Sequence, residues 1–188
     1  MKVRKRMNYT KTIKLSPVPM ALALVLWVSP GEAVNFKLVP NLEEMKDRSA
    51  APEFTLPDPA GKKVALKDFR GKLVLLNFWA TWCAPCREEM PSMERLYQRF
   101  KDKGFVIVGL NVKDRRNDAL SFLKELNITF PIVLDPDGQA GLLYGAWGLP
   151  VTYLIDSKGT AIARAWGLAD WDSPGARQLI AELLNNNR

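Results

Sequence analysis

The chain has 188 residues, 47% hydrophobic and 25% charged, which fits one globular domain with a short addition and a core that needs no disulfide staples. Histidine is absent, which removes Ser-His-Asp and Cys-His catalysis and most zinc and copper sites. Of the net charge of +7, residues 1–33 hold +5, so the remainder is close to neutral and offers no basic footprint for nucleic acid.

Residues 1–33 read as an export signal. A basic region running to Lys14 precedes the apolar stretch VPMALALVLWV, Val18 to Val28. That stretch is shorter than the roughly 20 residues a membrane-spanning helix needs, and it suits the core of a secretory signal. Ser29, Pro30 and Gly31 break it, and Gly31 and Ala33 supply small residues for a cut after Ala33. The alternative is an uncleaved anchor that associates residues 1–33 with the membrane. Both readings place the domain beyond the inner membrane, in the periplasm. Residues 34–51 show little periodicity and read as a linker or a loosely attached N-terminal arm, leaving residues 52–188 as the folded domain.

From Pro52 the punctuation becomes regular. FTL (Phe54 to Leu56) and VAL (Val64 to Leu66) flank the turn DPAG and predict a short hairpin. LVLLNFWA, Leu73 to Ala80, is a continuous apolar run of the kind found in a central strand covered on both faces. A helix is expected from about Pro85 to Lys103, closed by Gly104 and kinked at Pro91. FVIVGLNV (Phe105 to Val112) predicts a second buried strand, and Asn117 or Asp118 can cap a helix running to about Leu126. FPIVLD (Phe130 to Asp135) reads as a short extended piece. VTYLID (Val151 to Asp156) and TAIARAW (Thr160 to Trp166) then form an antiparallel hairpin. Ser173 before Pro174 opens a terminal helix to about Leu184. The expected fold class is α/β, a central mixed sheet flanked by helices with an extra N-terminal β-hairpin.

Both cysteines of the chain lie in FWATWCAPCREEMP. Residues three apart in a first helical turn share a face with Cβ atoms roughly 5–6 Å apart, so Cys83 and Cys86 can close a disulfide with a small adjustment. As a staple, so small a ring contributes only roughly 2 kcal/mol by loop-closure entropy. As half of a zinc site it lacks any further Cys or His. Redox chemistry is the remaining reading. At a helix N-terminus, free N–H groups and the positive dipole end favour a thiolate, the attacking species in thiol–disulfide exchange. Cys83, nearer the loop, is the expected nucleophile, and Cys86, one turn in, the resolving thiol. Pro85 withholds one possible N–H from the Cys83 sulfur.

The segments NFWATWCAPCREEMP, APEFTLPDPAGKKVALKDFRGK and GLPVTYLIDSKG together resemble the TlpA/ResA/CcmG group of extracytoplasmic thioredoxin-like proteins, over about Pro52 to Leu184. The resemblance implies a thioredoxin-like fold and a periplasmic or membrane-anchored disulfide reductase, often one serving cytochrome c maturation. It implies that Pro150 is a cis-proline facing the cysteines, with Leu149 before it able to alter substrate access. It matches Asn77 to a position where ordinary thioredoxins carry a buried aspartate. It also places Glu89 at the site of an acidic residue that could shuttle the proton of Cys86; the alternative is that Glu88 and Glu89 merely complement the helix dipole.

Trp82, before Cys83, can hold a partner chain at an exposed rim or simply pack. Trp79 is expected in the core, Trp147 either in a substrate groove or in the core, and Arg87 at the surface. The leading expectation is an exported thiol–disulfide oxidoreductase acting on protein cysteines, apocytochrome c among them, through Cys83 and Cys86. No nicotinamide or flavin fingerprint is present, so no cofactor is expected and a membrane thiol carrier would supply electrons. A thiol peroxidase is the alternative, because the leading hairpin region also resembles peroxiredoxins; Ala80 three residues before Cys83 argues against it. A copper chaperone is disfavoured by the CxxC spacing and the absent histidine.

Overall fold

The computed structural model describes residues 34–186. The export-signal reading of residues 1–33 lies outside them. Among the described residues no helix is long and apolar enough to cross a membrane.

The chain joins the fold earlier than its sequence suggests. Residues 34–51, expected to be a linker or a loosely attached arm, hold a 3-10 turn at Phe36–Leu38 and the strand β1 (Leu42–Glu44). Phe36, Val39, Leu42 and Ala51 are buried. With only three residues in the strand, no alternation could announce it. The hairpin follows as expected: β2 (Thr55–Pro57) and β3 (Lys63–Ala65) pair antiparallel, apart from the main sheet.

β4 (Leu73–Trp79) is buried at every position. It leads into α1 (Ala84–Phe100), which runs past Pro91 without interruption; a 3-10 turn then ends at Gly104, whose φ of 87° uses the left-handed region glycine favours. β5 (Phe105–Val112) pairs with β4 in parallel, Leu73 opposite Phe105 and Trp79 opposite Asn111. α2 (Arg116–Glu125) starts before the expected caps, because Asp118 sits in its first turn and accepts from Arg115 instead.

FPIVLD contributes a true strand, β6 (Ile132–Asp135), parallel to β5. The short helix α3 (Gln139–Leu143) is an element the sequence did not announce. β7 (Val151–Ile155) and β8 (Ala161–Trp166) form the expected antiparallel pair, and α4 (Pro174–Asn186) opens as foreseen, the Ala176 N–H donating to Ser173 Oγ at 3.2 Å.

The sheet order is β1-β8-β7-β4-β5-β6, mixed in direction. Apolar side chains of α1, α2 and α4 cover one face. The other face is covered by Ala140 and Tyr144 around α3 together with Phe54 and Leu66 of the hairpin region. Asp172, before α4, is bound by Arg95 of α1 at 3.0 Å and Arg177 of α4 at 2.7 Å, and the Arg177 hydrogen bond, ahead of Arg95, holds its carboxyl below the ordinary range.

Candidate active site

β4, a central strand, carries the cysteine loop to one end of the sheet. Phe78 near its end stands opposite Val151 at the start of β7, so the loop at 80–83 and the Leu149–Pro150 peptide emerge together. That peptide is cis. Pro150 is buried and its carbonyl accepts the Gly167 N–H at 2.9 Å. Leu149 is half-buried against the cluster that contains both cysteines.

Cys83 and Cys86 form a disulfide with Cα atoms 5.3 Å apart. Cys83 occupies the N-cap of α1, and its sulfur accepts the Cys86 N–H at 3.2 Å. Of the two, Cys86 is fully enclosed, while Cys83 keeps 4% of its surface. On reduction the same N–H and the helix N-terminus favour negative charge on the Cys83 sulfur. The preceding loop is held by one carboxylate. Asp114 accepts the Thr81 N–H at 2.7 Å, the Thr81 hydroxyl at 2.9 Å and the Asn111 amide at 2.7 Å.

Glu89 lies one turn beyond Cys86 and is 1% exposed. Its Oε1 accepts from Asn77 Nδ2 at 2.8 Å, and its Oε2 accepts longer bonds from the Ala169 N–H at 3.3 Å and Trp171 Nε1 at 3.4 Å. Burial raises its pKa from the ordinary 4.5 to about 7, because desolvation outweighs the three hydrogen bonds that favour the charged form. A carboxyl that exchanges its proton near neutrality is suited to general acid–base work at that pH. Glu88 is exposed.

The aromatic residues separate cleanly. Trp79 is buried and stacks on Phe122 at 5.0 Å. Trp82 is 66% exposed and Trp147 78% exposed, so neither belongs to the core. With Leu142, Lys113 and Leu149 they line a groove of about 200 Å³ beside the cysteine loop. Arg87 lies 4.5 Å over the Phe122 ring and pairs with Glu125 at 2.5 Å, a surface arrangement. Sequence reasoning missed Trp171, Ala169, Thr152 and Asp114. The first three reach Glu89 or Asn77 from 75 to 82 residues away along the chain, and no local pattern marks them.

A mixed sheet of this order, a CxxC pair at a helix N-terminus and a cis-proline at the same end of the sheet define a thioredoxin-fold thiol–disulfide oxidoreductase. The AhpC/TSA family pattern matches residues 48–164. The chain is 42% identical over 125 residues to the thiol-disulfide oxidoreductase ResA of Bacillus thuringiensis, covering 66% of this chain and 72% of that protein. It is 38% identical over 141 residues to ResA of Bacillus subtilis, covering 75% and 79%. A crystal structure from Chlorobium tepidum, described as a thiol:disulfide interchange protein DsbE, superposes with a TM-score of 0.69 at 36% identity, covering 74% of this chain and 99% of that one. The chain belongs to the AhpC/TSA family and, within it, groups with the ResA- and DsbE-like thiol–disulfide oxidoreductases.

Proposed function

We propose that the protein is an exported reductase of protein disulfides, of the kind that serves cytochrome c maturation. The observation that carries this reading is the capped, nearly enclosed Cys83–Cys86 pair with the buried Glu89 one turn beyond it. In the reduced protein the Cys83 thiolate attacks one sulfur of a substrate disulfide, forming a mixed disulfide and releasing the other substrate sulfur as a thiolate. Glu89 takes the Cys86 proton. The Cys86 thiolate then attacks the Cys83 sulfur, closing the intramolecular disulfide and expelling the second substrate thiolate. Two electrons pass to the substrate, and a membrane thiol carrier returns them to the protein. Trp82, Leu149 and Pro150 receive the substrate chain at the groove, with apocytochrome c cysteines the substrate class. Residues 1–33 direct the domain to the periplasm, as a cleaved signal or a membrane anchor.

The reduction potential of the Cys83–Cys86 couple tests the direction. A value well below that of the periplasmic oxidants is expected; a value as high as theirs reverses the assignment. Cys83→Ser is expected to abolish reduction of insulin or apocytochrome disulfides. Glu89→Gln is expected to slow exchange at neutral pH with the fold intact, and an unchanged rate and pH profile would leave Glu89 as a helix-dipole partner alone. The AhpC/TSA match gives a peroxidase reading one point of support. Peroxide turnover matching disulfide turnover would favour it.

A further inference from the structure

Asn77 lies fully buried between two strands and uses both hydrogens of its amide. One goes to Glu89 Oε1 at 2.8 Å, the other to Thr152 Oγ1 at 2.9 Å. Its own Oδ1 is buried and meets no protein donor among the described residues. The amide therefore sits with both donors satisfied and its carbonyl orphaned, the cheaper of the two defects in a protein interior. Thr152 makes that choice possible. It stands opposite Asn77 across the β4–β7 ladder, is itself 1% exposed, and supplies the acceptor for the second N–H.

We infer that Thr152 is a positioning residue for Glu89: its hydroxyl holds the Asn77 amide in the orientation that donates to the carboxylate, and so sets the pH at which Glu89 exchanges its proton. A donor aimed at a carboxylate favours the ionised form. Remove the acceptor on the far side and one Asn77 N–H is orphaned in the interior. The amide then has less reason to keep the donating orientation, and the site around the carboxylate becomes more apolar. Both effects favour the protonated acid.

The other neighbours do not substitute for this contact. The loop after β8 offers Glu89 only the two long bonds from Ala169 and Trp171. The acids flanking Trp171 turn elsewhere: Asp172 is occupied by arginines, and Asp170 accepts the Asp172 N–H at 3.1 Å. β4 and β7 present neutral Asn77 and Thr152. On α1 the titratable neighbours are Cys83 and Cys86, which carry protons only after reduction.

This inference rests on the proposed role of Glu89, and its test separates the two. The Glu89 carboxyl carbon is titrated by NMR in the oxidised full chain, where the cysteines do not titrate, for wild type, Thr152→Val and Thr152→Ser, with Glu89→Gln assigning the signal. Thr152→Val is expected to move the midpoint up by about half to one pH unit, the equivalent of one net hydrogen bond. Thr152→Ser is expected to restore the wild-type midpoint. In the reduced protein, the acid limb of the exchange-rate profile should move the same way in the valine variant. An unmoved midpoint in Thr152→Val, or a shift in Thr152→Ser as large as in the valine variant, overturns the inference. If the valine variant shifts the midpoint while Glu89→Gln leaves the exchange profile untouched, the positioning role stands and the proton-transfer role of Glu89 falls.

Discussion

Glu89→Gln is expected to flatten the pH dependence of folding stability between about pH 4.5 and pH 7, and the size of the effect follows from the burial of one group. The native pKa is raised from 4.5 to about 7. Below about pH 4.5 the carboxyl is protonated in both the folded and unfolded chain and has no linkage effect. Between the two values the unfolded chain loses the proton while the folded one keeps it, so native stability falls by about 1.4 kcal/mol per pH unit. Above about pH 7 the whole penalty is present, about 3 kcal/mol. Glutamine cannot ionise. Its amide must, however, turn an N–H toward either Asn77 or the Ala169 and Trp171 donors, an offset of about 1 kcal/mol or more that does not depend on pH. The slope is therefore the informative quantity. Urea unfolding of the oxidised wild type and variant at several pH values measures it: the wild-type curve should descend relative to the variant as pH rises. Parallel curves would refute the claim that the carboxyl is buried and proton-bearing near neutrality.

Two further changes probe the frame around the site. A methyl added at Gly175 would collide with the Leu38 carbonyl oxygen and stand 3.3 Å from Leu38 Cβ. Gly175→Ala is therefore expected to lower stability by about 1–2 kcal/mol, overpacking outweighing the helix preference of alanine, and to speed amide hydrogen exchange at Leu42–Glu44; an unchanged or higher melting temperature would show that residues 36–44 are not docked. Asp114→Ala strands the Thr81 and Asn111 donors and is expected to cost about 2–4 kcal/mol and to speed proteolysis of the loop before Cys83; equal stability and equal protease resistance would refute the anchoring role.

The apolar runs at Leu73–Trp79 and Phe105–Val112 were legible because central strands buried on both faces show no polar alternation. The cysteine pair was legible because the chain has no other thiol and no histidine to compete with it. Glu89 was legible as a position, three residues past Cys86, but its environment was not. Trp171 comes from a loop beyond β8 and Thr152 from an antiparallel neighbour, contacts that exist only once the sheet order is known. β1 escaped for a different reason. Its three residues carry one buried leucine and two exposed glutamates, a pattern shared with any polar loop. α3 likewise has only five residues, too few to display a helical period.

That small strand also shields its neighbour. Leu42 to Glu44 pair along the outer side of β8, and two acidic side chains end the sheet in water. A version of the chain trimmed to begin at Pro52 would lay bare β8's outward-facing N–H and C=O groups beside the alanines and isoleucine of that strand. Such a rim invites a stranger's backbone to zip onto it. The short first strand thus covers that rim against self-association.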